Sequence, residues 1–321
     1  MADLEHSKER TLLLTGGTGF IGAYLSRHLA GQESIRLRRL VRRRDGRGPG
    51  PVTDIRGAIE RVEDVRRFVA TGDCLIHLAC TTNPRTSNAD IHADLEQNLL
   101  PSVLLFEEFL RRKSGGHVIF ASTGGDMYSY DLPYVPRRET DPPMPHSSYS
   151  IHKLAVENYL SLLCAMHGGR GTVLRIGNPY GERVSEGRSQ GLVGIALVKA
   201  LLGHELQVFE PINSVRDYLY LDDLGRAFDA VLKDPPRPGA CEIYNVGSGV
   251  GHSIGDVIAT VEEVTSRTLS WRSVVPPGRS ATWNVLDIGK FRARFGWTPG
   301  ISFEEGVRRL WREVADAANT Q

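Results

Sequence analysis

The stretch 12–22 constrains this chain more than any other. An apolar run, 12–15, is cut off by glycine. Gly16, Gly19 and Gly22 then stand at the first, fourth and seventh positions of Gly-x-x-Gly-x-x-Gly, and helical periodicity continues through Leu25 and Leu29. Each glycine answers a steric demand: a tight turn after the strand, close approach of backbone to a pyrophosphate, and close packing of helix on strand. The start of the helix adds N–H groups and a dipole that favours an anion. Strand, turn and amphipathic helix in that order predict a dinucleotide-binding unit, with Gly16, Gly19, Phe20, Ile21 and Gly22 against the cofactor.

Beyond this turn, short apolar runs alternate with longer helical patterns. Strands are expected at 35–41, 74–78, 117–121 and 172–176, with helices at 95–112 and 150–166. That alternation predicts an α/β fold with a doubly wound parallel Rossmann sheet. After Gly181 the pattern loosens into a helix at 192–202, a short strand at 206–209 and smaller elements. The expected organisation is therefore a dinucleotide-binding domain over 1–180 and a smaller, mainly substrate-binding portion over 181–321. Segments such as 244–247 are expected to return to the first domain. A ligand cleft is expected between the two portions, beyond the carboxyl ends of the strands.

Composition removes several function classes. With 321 residues, 40% hydrophobic and 24% charged, the chain reads as an ordinary folded protein. No apolar run approaches the roughly 20 residues of a membrane span. The first ten residues lack the apolar core of a secretory signal, so the expected location is cytoplasmic. A formal charge of +1 argues against nucleic acid as a partner. Cys74, Cys80, Cys164 and Cys241 are scattered, and the ten histidines show no ligand spacing, so no metal is expected. Arg36, Arg38, Arg39, Arg42, Arg43, Arg44 and Arg47 crowd one stretch, which reads as a solvated strand edge and loop.

Two further features point to chemistry. A site for NAD carries an acidic residue about 20 residues past the glycines, for the ribose 2′-hydroxyl. Here the second strand ends Leu40-Val41-Arg42-Arg43-Arg44, and a guanidinium such as Arg42 suits a 2′-phosphate instead. The expected cofactor is NAD or NADP, with a lean to NADP. Tyr149-Ser150-Ile151-His152-Lys153 places a tyrosine and a lysine four apart, on one face of a helix. A lysine ammonium favours the phenolate, so the pair suits proton exchange with a hydroxyl during hydride transfer.

With the glycine turn and Tyr-x-x-x-Lys in place, the chain resembles the extended short-chain dehydrogenase/reductases, and within them the nucleotide-sugar epimerase/dehydratase family. The resemblance runs over nearly the whole length. It includes Asp54-Ile55-Arg56 as an adenine-contacting segment, Leu78-Ala79 at a strand end beside the cofactor, and a cofactor-side Asn98. Asn178-Pro179-Tyr180-Gly181 resembles the family's N-P-x-G turn, with Asn178 towards the sugar nucleotide and Pro179 towards the cofactor. Arg216, in Arg216-Asp217-Tyr218-Leu219-Tyr220-Leu221-Asp222-Asp223, and Arg279 match two arginines that bind the substrate diphosphate. Phe209 falls in the strand that packs on the nucleobase, although Glu210-Pro211-Ile212-Asn213 departs from the usual G-D-G-x.

The family's catalytic hydroxyl position is occupied by Gly124, and Thr123 or Ser122 is expected to substitute: Thr123 as the catalytic hydroxyl, Ser122 towards the substrate. Gly125-Asp126 replaces the Asp-Glu pair of the sugar 4,6-dehydratases, which disfavours elimination; Asp126 is either a proton carrier or a loop-capping carboxylate. The resemblance thus implies a nucleoside-diphosphate-sugar 4-epimerase with Tyr149 and Lys153 as its central pair. The alternative is an NADPH-dependent 4-ketoreductase; a non-catalytic dinucleotide sensor is a third reading, disfavoured by retention of that pair. The resemblance also implies a homodimer formed through helices.

Overall fold

The computed structural model describes residues 10–43, 51–129, 134–182, 191–275 and 282–319. The chain packs as two compact units, the first built from residues up to Ser122 with Pro145–Leu174 and Lys233–Ile243, the second from the remainder.

The first unit begins with β1 (Arg10–Thr15), α1 (Phe20–Ala30), β2 (Ile35–Val41) and β3 (Val52–Arg56), followed by α2 (Val62–Val69) and β4 (Cys74–His77). Next come α3 (Ile91–Asp94), a π-helical turn (Leu95–Leu99) and α4 (Leu100–Arg112). The expected single helix 95–112 is thus interrupted at its start by a wider turn. Then follow β5 (His117–Thr123), α5 (Ser148–His167) and β6 (Arg170–Ile176).

The elements of the second portion are β7 (Asn178–Tyr180), α6 (Leu192–Leu202), β8 (Leu206–Val208), β9 (Val215–Tyr220), α7 (Leu221–Lys233) and β10 (Cys241–Val246). They continue with β11 (Gly251–Ser253), α8 (Ile254–Thr265), β12 (Trp271–Ser273), β13 (Trp283–Asn284), α9 (Gly289–Phe295) and α10 (Phe303–Asn319).

The main sheet has the order β10-β6-β5-β4-β1-β2-β3, and the pairings from β3 through β5 are parallel. The order reverses at β1, whose neighbours are β2 and β4, and this is where a doubly wound sheet opens for a ligand. β10 lies at one edge of this sheet.

The arginine-rich β2 is not an edge strand, as its composition suggested, but lies between β1 and β3. The alternation of the strand explains how it tolerates this place: Arg36 is exposed and Arg38 half-exposed, while Arg39 is buried. The core of the first unit joins Leu13 and Leu75 of the sheet to Phe68 of α2, Phe106 and Phe109 of α4, and Val156 and Leu160 of α5.

In the second unit β9 is the hub, pairing with β7, β11 and β13, while β8 pairs with β12. Apolar residues of α6, α8 and α10 form its core with Tyr180, Tyr218 and Tyr220. Asp217, in the middle of β9, is buried and accepts from Ser248 N and Oγ, Gly249 N and Leu286 N. Asp223 accepts from Gly300 N and Ile301 N, which ties the stretch between α9 and α10 to α7. Among the described residues no helix is long and apolar enough to cross a membrane, and no group of three or more His, Cys, Asp or Glu side chains could hold a metal ion.

Candidate active site

The glycine turn closes as its spacing requires. Gly16 has φ +72°, and a Cβ there would stand 2.6 Å from Ala79 N, at the end of β4. At Gly22 a Cβ would stand 2.0 Å from Gly16 O, so the first turn of α1 could not pack on the loop. The N-cap of α1 is Gly19, with no side-chain cap bond and no acidic residue in the first turn. Such a cradle, glycine-lined at a helix start beside Leu78 and Ala79, fits a dinucleotide pyrophosphate. Phe20 and Ile21 open the helix.

At the far end of β2, Arg39 binds both carboxylate oxygens of Asp54, Nε to Oδ1 at 2.8 Å and Nη2 to Oδ2 at 3.0 Å. Ile55 follows in β3. Arg42 is exposed and meets Glu60 at 2.5 Å. Arg42, Asp54 and Ile55, with Arg56, Arg61 and Arg67, line an open groove of about 910 Å³. Arg44 and Arg47 lie outside the described residues.

Tyr149 and Lys153 occupy the first turns of α5. The helix begins there because Ser147 caps it: Ser150 N donates to Ser147 Oγ, and Ser147 N donates to Ser150 Oγ in return. Gly168 ends it in the left-handed conformation. Lys153 is buried; its Nζ donates to Ala121 O at 2.9 Å and lies 5.7 Å from the centre of the Tyr149 ring. Burial lowers the Lys153 pKa, an effect opposed by the charges of Cys80, Glu157 and Asp94. Tyr149 itself is half-buried.

Ser122 and Thr123 end β5. Ser122 Oγ donates to the buried Glu157 at 2.5 Å, which engages that hydroxyl from the inner face of α5. Gly124 is closely packed: a Cβ there would stand 2.6 Å from Leu286 Cδ1 and 3.1 Å from Arg175 O, so a side chain at this position would require the Leu286 side chain to shift. Asn98 sits in the π-helical turn and is buried. Its Oδ1 accepts from Thr81 N at 2.8 Å, and its Nδ2 donates to Asp94 Oδ1 at 3.0 Å, so the side chain braces the segment after β4. A π-turn at such a position is a common accompaniment of function.

In the second unit, Asn178 Nδ2 donates to Asp217 O at 3.2 Å, and Pro179 continues β7. Phe209 follows β8 and is exposed, so the strand ends one residue earlier than its apolar pattern predicts. Arg216 pairs with Glu210 and also donates to Val215 O at 2.9 Å. Arg279 lies outside the described residues. The residues 12–247 match the model of the "NAD dependent epimerase/dehydratase family".

The chain belongs to this family. Among solved structures, the chain is similar to UDP-glucose 4-epimerase of Thermus thermophilus in complex with NAD. The identity is 30%, the TM-score 0.86, and the match covers 96% of this chain and 99% of that one. The UDP-glucose 4-epimerase of Thermotoga maritima, with UDP-glucose, gives 27% identity and the same TM-score over 96% and 99% of the two chains. Among curated proteins, a dTDP-4-dehydro-6-deoxyglucose reductase of Escherichia coli is 28% identical over 96% of this chain and 98% of its own. This family member is therefore an enzyme that uses a nicotinamide dinucleotide, with a Rossmann-type sheet. Its relatives include epimerases, reductases and dehydratases acting on nucleotide sugars.

Sequence reasoning gave no site role to Arg39, Cys80, Asp94, His152, Glu157 or Glu210. His152 was visible inside Tyr149–Lys153, and Asp94 and Asn98 stand four apart as helix neighbours do. The contacts of Arg39, Cys80 and Glu157 join residues 15, 72 and 35 positions apart and left no local signal.

Proposed function

We propose that this protein is a nucleoside-diphosphate-sugar 4-epimerase, inverting C4 of the sugar through a 4-keto intermediate. The observation that carries the reading is the capped start of α5, which sets Lys153 against the Tyr149 ring in a chain similar throughout its length to UDP-glucose 4-epimerases. The nicotinamide dinucleotide supplies an acceptor and donor of hydride. Tyr149 takes the proton of the C4 hydroxyl as that carbon is oxidised, and returns it when the turned keto sugar is reduced from its other face. The Lys153 ammonium favours the phenolate form of Tyr149. Thr123 supplies the hydroxyl partner in place of residue 124, and Arg216 anchors the diphosphate. Arg279 has the same role by resemblance.

A second reading, an NADPH-dependent nucleotide-sugar 4-ketoreductase, draws on one specific observation. Arg42, at the end of β2, stands on a groove that also presents Arg56 and Arg61, a setting suited to a 2′-phosphate. The two readings part on the fate of the cofactor. Nucleotide extracted from freshly purified protein is identified by mass spectrometry, and turnover is assayed with a stable sugar nucleotide and with a 4-keto sugar nucleotide plus NADPH. Retained dinucleotide with interconversion of 4-epimers supports the epimerase. Stoichiometric consumption of NADPH with no epimer formed overturns it in favour of the reductase.

The homodimer belongs to the same proposal. Ile151, Tyr159, Leu162 and Met166 form an exposed apolar stripe along α5, while Val156, Leu160 and Leu163 of the same helix are buried. A stripe of this length on one helix suits a self-complementary contact with a second copy.

A further inference from the structure

Outside the roles assigned above, the first unit contains a cluster of side chains with a chemistry of its own. Cys80 lies three residues beyond β4, half-buried, with Sγ 3.8 Å from His152 Nε2. On the other side of the same ring, His152 Nδ1 lies 2.8 Å from Asp94 Oδ2. Asp94 also accepts from Ser148 Oγ at 2.7 Å, from Asn98 Nδ2 at 3.0 Å and from Thr82 Oγ1. Burial raises the Asp94 pKa, but the bonds from Thr82, Ser148 and His152 outweigh it and keep the group below its ordinary value. A carboxylate so held takes Nδ1–H as donor, and Nε2 is left as the basic atom that faces the thiol.

The cations complete the arrangement. Burial pushes the Cys80 thiol up, while the Lys153 ammonium and the hydrogen bond and charge of His152 pull it down, to about 7. Glu157 and Tyr149 also lie close to Lys153, and at His77 burial, with the charges of Lys153 and His152, lowers the pKa to about 3 and so keeps the ring neutral. The remaining cysteines are set differently. Cys74 is buried and its thiol raised to about 12, Cys164 is buried, and Cys241 is raised by its bond to Cys164 and by burial.

We propose that Cys80 is a nucleophilic modification site for peroxide-class oxidants, activated by the Asp94–His152 pair and Lys153, and that its oxidation stops turnover. The thiolate sulfur attacks one peroxide oxygen, the S–O bond forming as the O–O bond breaks. The departing oxygen takes a proton and leaves as water or an alcohol. Sulfur is oxidised to a sulfenic acid and the peroxide is reduced. One equivalent of a small thiol then condenses with the sulfenic acid, releasing water and leaving a mixed disulfide. A second equivalent displaces it and restores Cys80. The reactivity stands on the cluster alone; the effect on turnover rests on the reading of Lys153 above, because oxidation at Sγ changes the charge that acts on that ammonium.

Two arms test the proposal on the full-length protein. In the first, iodoacetamide alkylation of each cysteine is followed by mass spectrometry as a function of pH. Cys80 is expected to label with a midpoint near 7, roughly tenfold faster at neutral pH than the other three. In His152→Gln the midpoint should rise towards the ordinary value of about 8.5. Absence of labelling at Cys80 in the folded protein, or an unshifted midpoint in His152→Gln, overturns the activation. In the second arm, hydrogen peroxide should abolish turnover of the wild type reversibly, with recovery by dithiothreitol, and leave Cys80→Ser active. Equal loss in Cys80→Ser overturns the link to turnover. Because the first arm needs no substrate, it remains decisive if the assigned reaction proves wrong.

Discussion

Arg39 holds Asp54 at both carboxylate oxygens, across the β2–β3 register in which the two residues are direct partners. Both side chains are largely buried, so neither can exchange its partner for water without cost. Arg39→Met is therefore expected to lower unfolding free energy by about 3 kcal/mol, because it leaves Asp54 buried and unpaired. Asp54→Asn in that background should recover part of the loss. Urea unfolding measures both. A single variant within about 0.5 kcal/mol of wild type would show that the pair contributes little.

Tyr149→Phe removes the proton carrier and keeps the ring that packs beside His152 at a centroid distance of 5.4 Å. Turnover should fall by about two to four orders of magnitude, with dinucleotide and sugar-nucleotide affinities nearly unchanged. Steady-state kinetics together with calorimetric titration separate the two effects. Retained turnover would remove Tyr149 from the mechanism.

Glu210 stands against Arg216, the arginine assigned to the substrate diphosphate. A diphosphate arriving there must compete with a carboxylate already in place. Glu210→Gln should tighten sugar-nucleotide binding, and Arg216→Ala should weaken it by about tenfold or more, the scale of a lost charge-assisted bond. Titration calorimetry gives the comparison, and an affinity unaffected by Arg216→Ala would place the diphosphate elsewhere.

Acid should destabilise this protein through two histidines. Burial, with the charges of Lys153 and His152 at His77 and of Arg10 and Arg170 at His117, lowers each of them from 6.5 to about 3. Their contribution to stability is thus complete above the unfolded value and is lost as pH falls towards the folded one. In that window the unfolded chain binds two more protons than the native state, a slope of up to about 2.7 kcal/mol per pH unit. His117→Gln should reduce the slope by about half, as read from denaturant midpoints between about pH 6 and about pH 4.

Leu162→Asp places a charge in the middle of the exposed stripe on α5. The expected result is a monomer by sedimentation where the wild type is a dimer, with secondary structure retained. A monomeric wild type would leave the stripe without the proposed partner.

The glycine turn, the pair on α5 and the alternation of strands and helices were legible in order along the chain. The strand 35–41 and the helix 192–202 were read at the bounds later observed. The reason is that backbone sterics and side-chain periodicity act over a few residues, so Gly16, Gly22, Tyr149 and Lys153 carry their geometry with them. The π-turn at Leu95–Leu99 was not legible, because its apolar pattern reads as the beginning of α4.

What tertiary structure alone decided are the partners of polar and charged groups. Arg42 and Arg39 belong to one arginine cluster in sequence; only the pairing of β2 with β3 buries the second against Asp54 and leaves the first on a groove. Gly124 looks like a lost hydroxyl in the sequence; only the fold sets the Leu286 side chain against that position. Cys80, Asp94 and His152 are unremarkable where they stand in the chain, 72 and 58 residues separating the thiol and the carboxylate from the histidine. Short-range sterics and periodicity write themselves into a sequence, whereas charge, hydrogen bonding and close packing act on whatever the fold brings within a few ångströms, and that is settled only when the chain has folded.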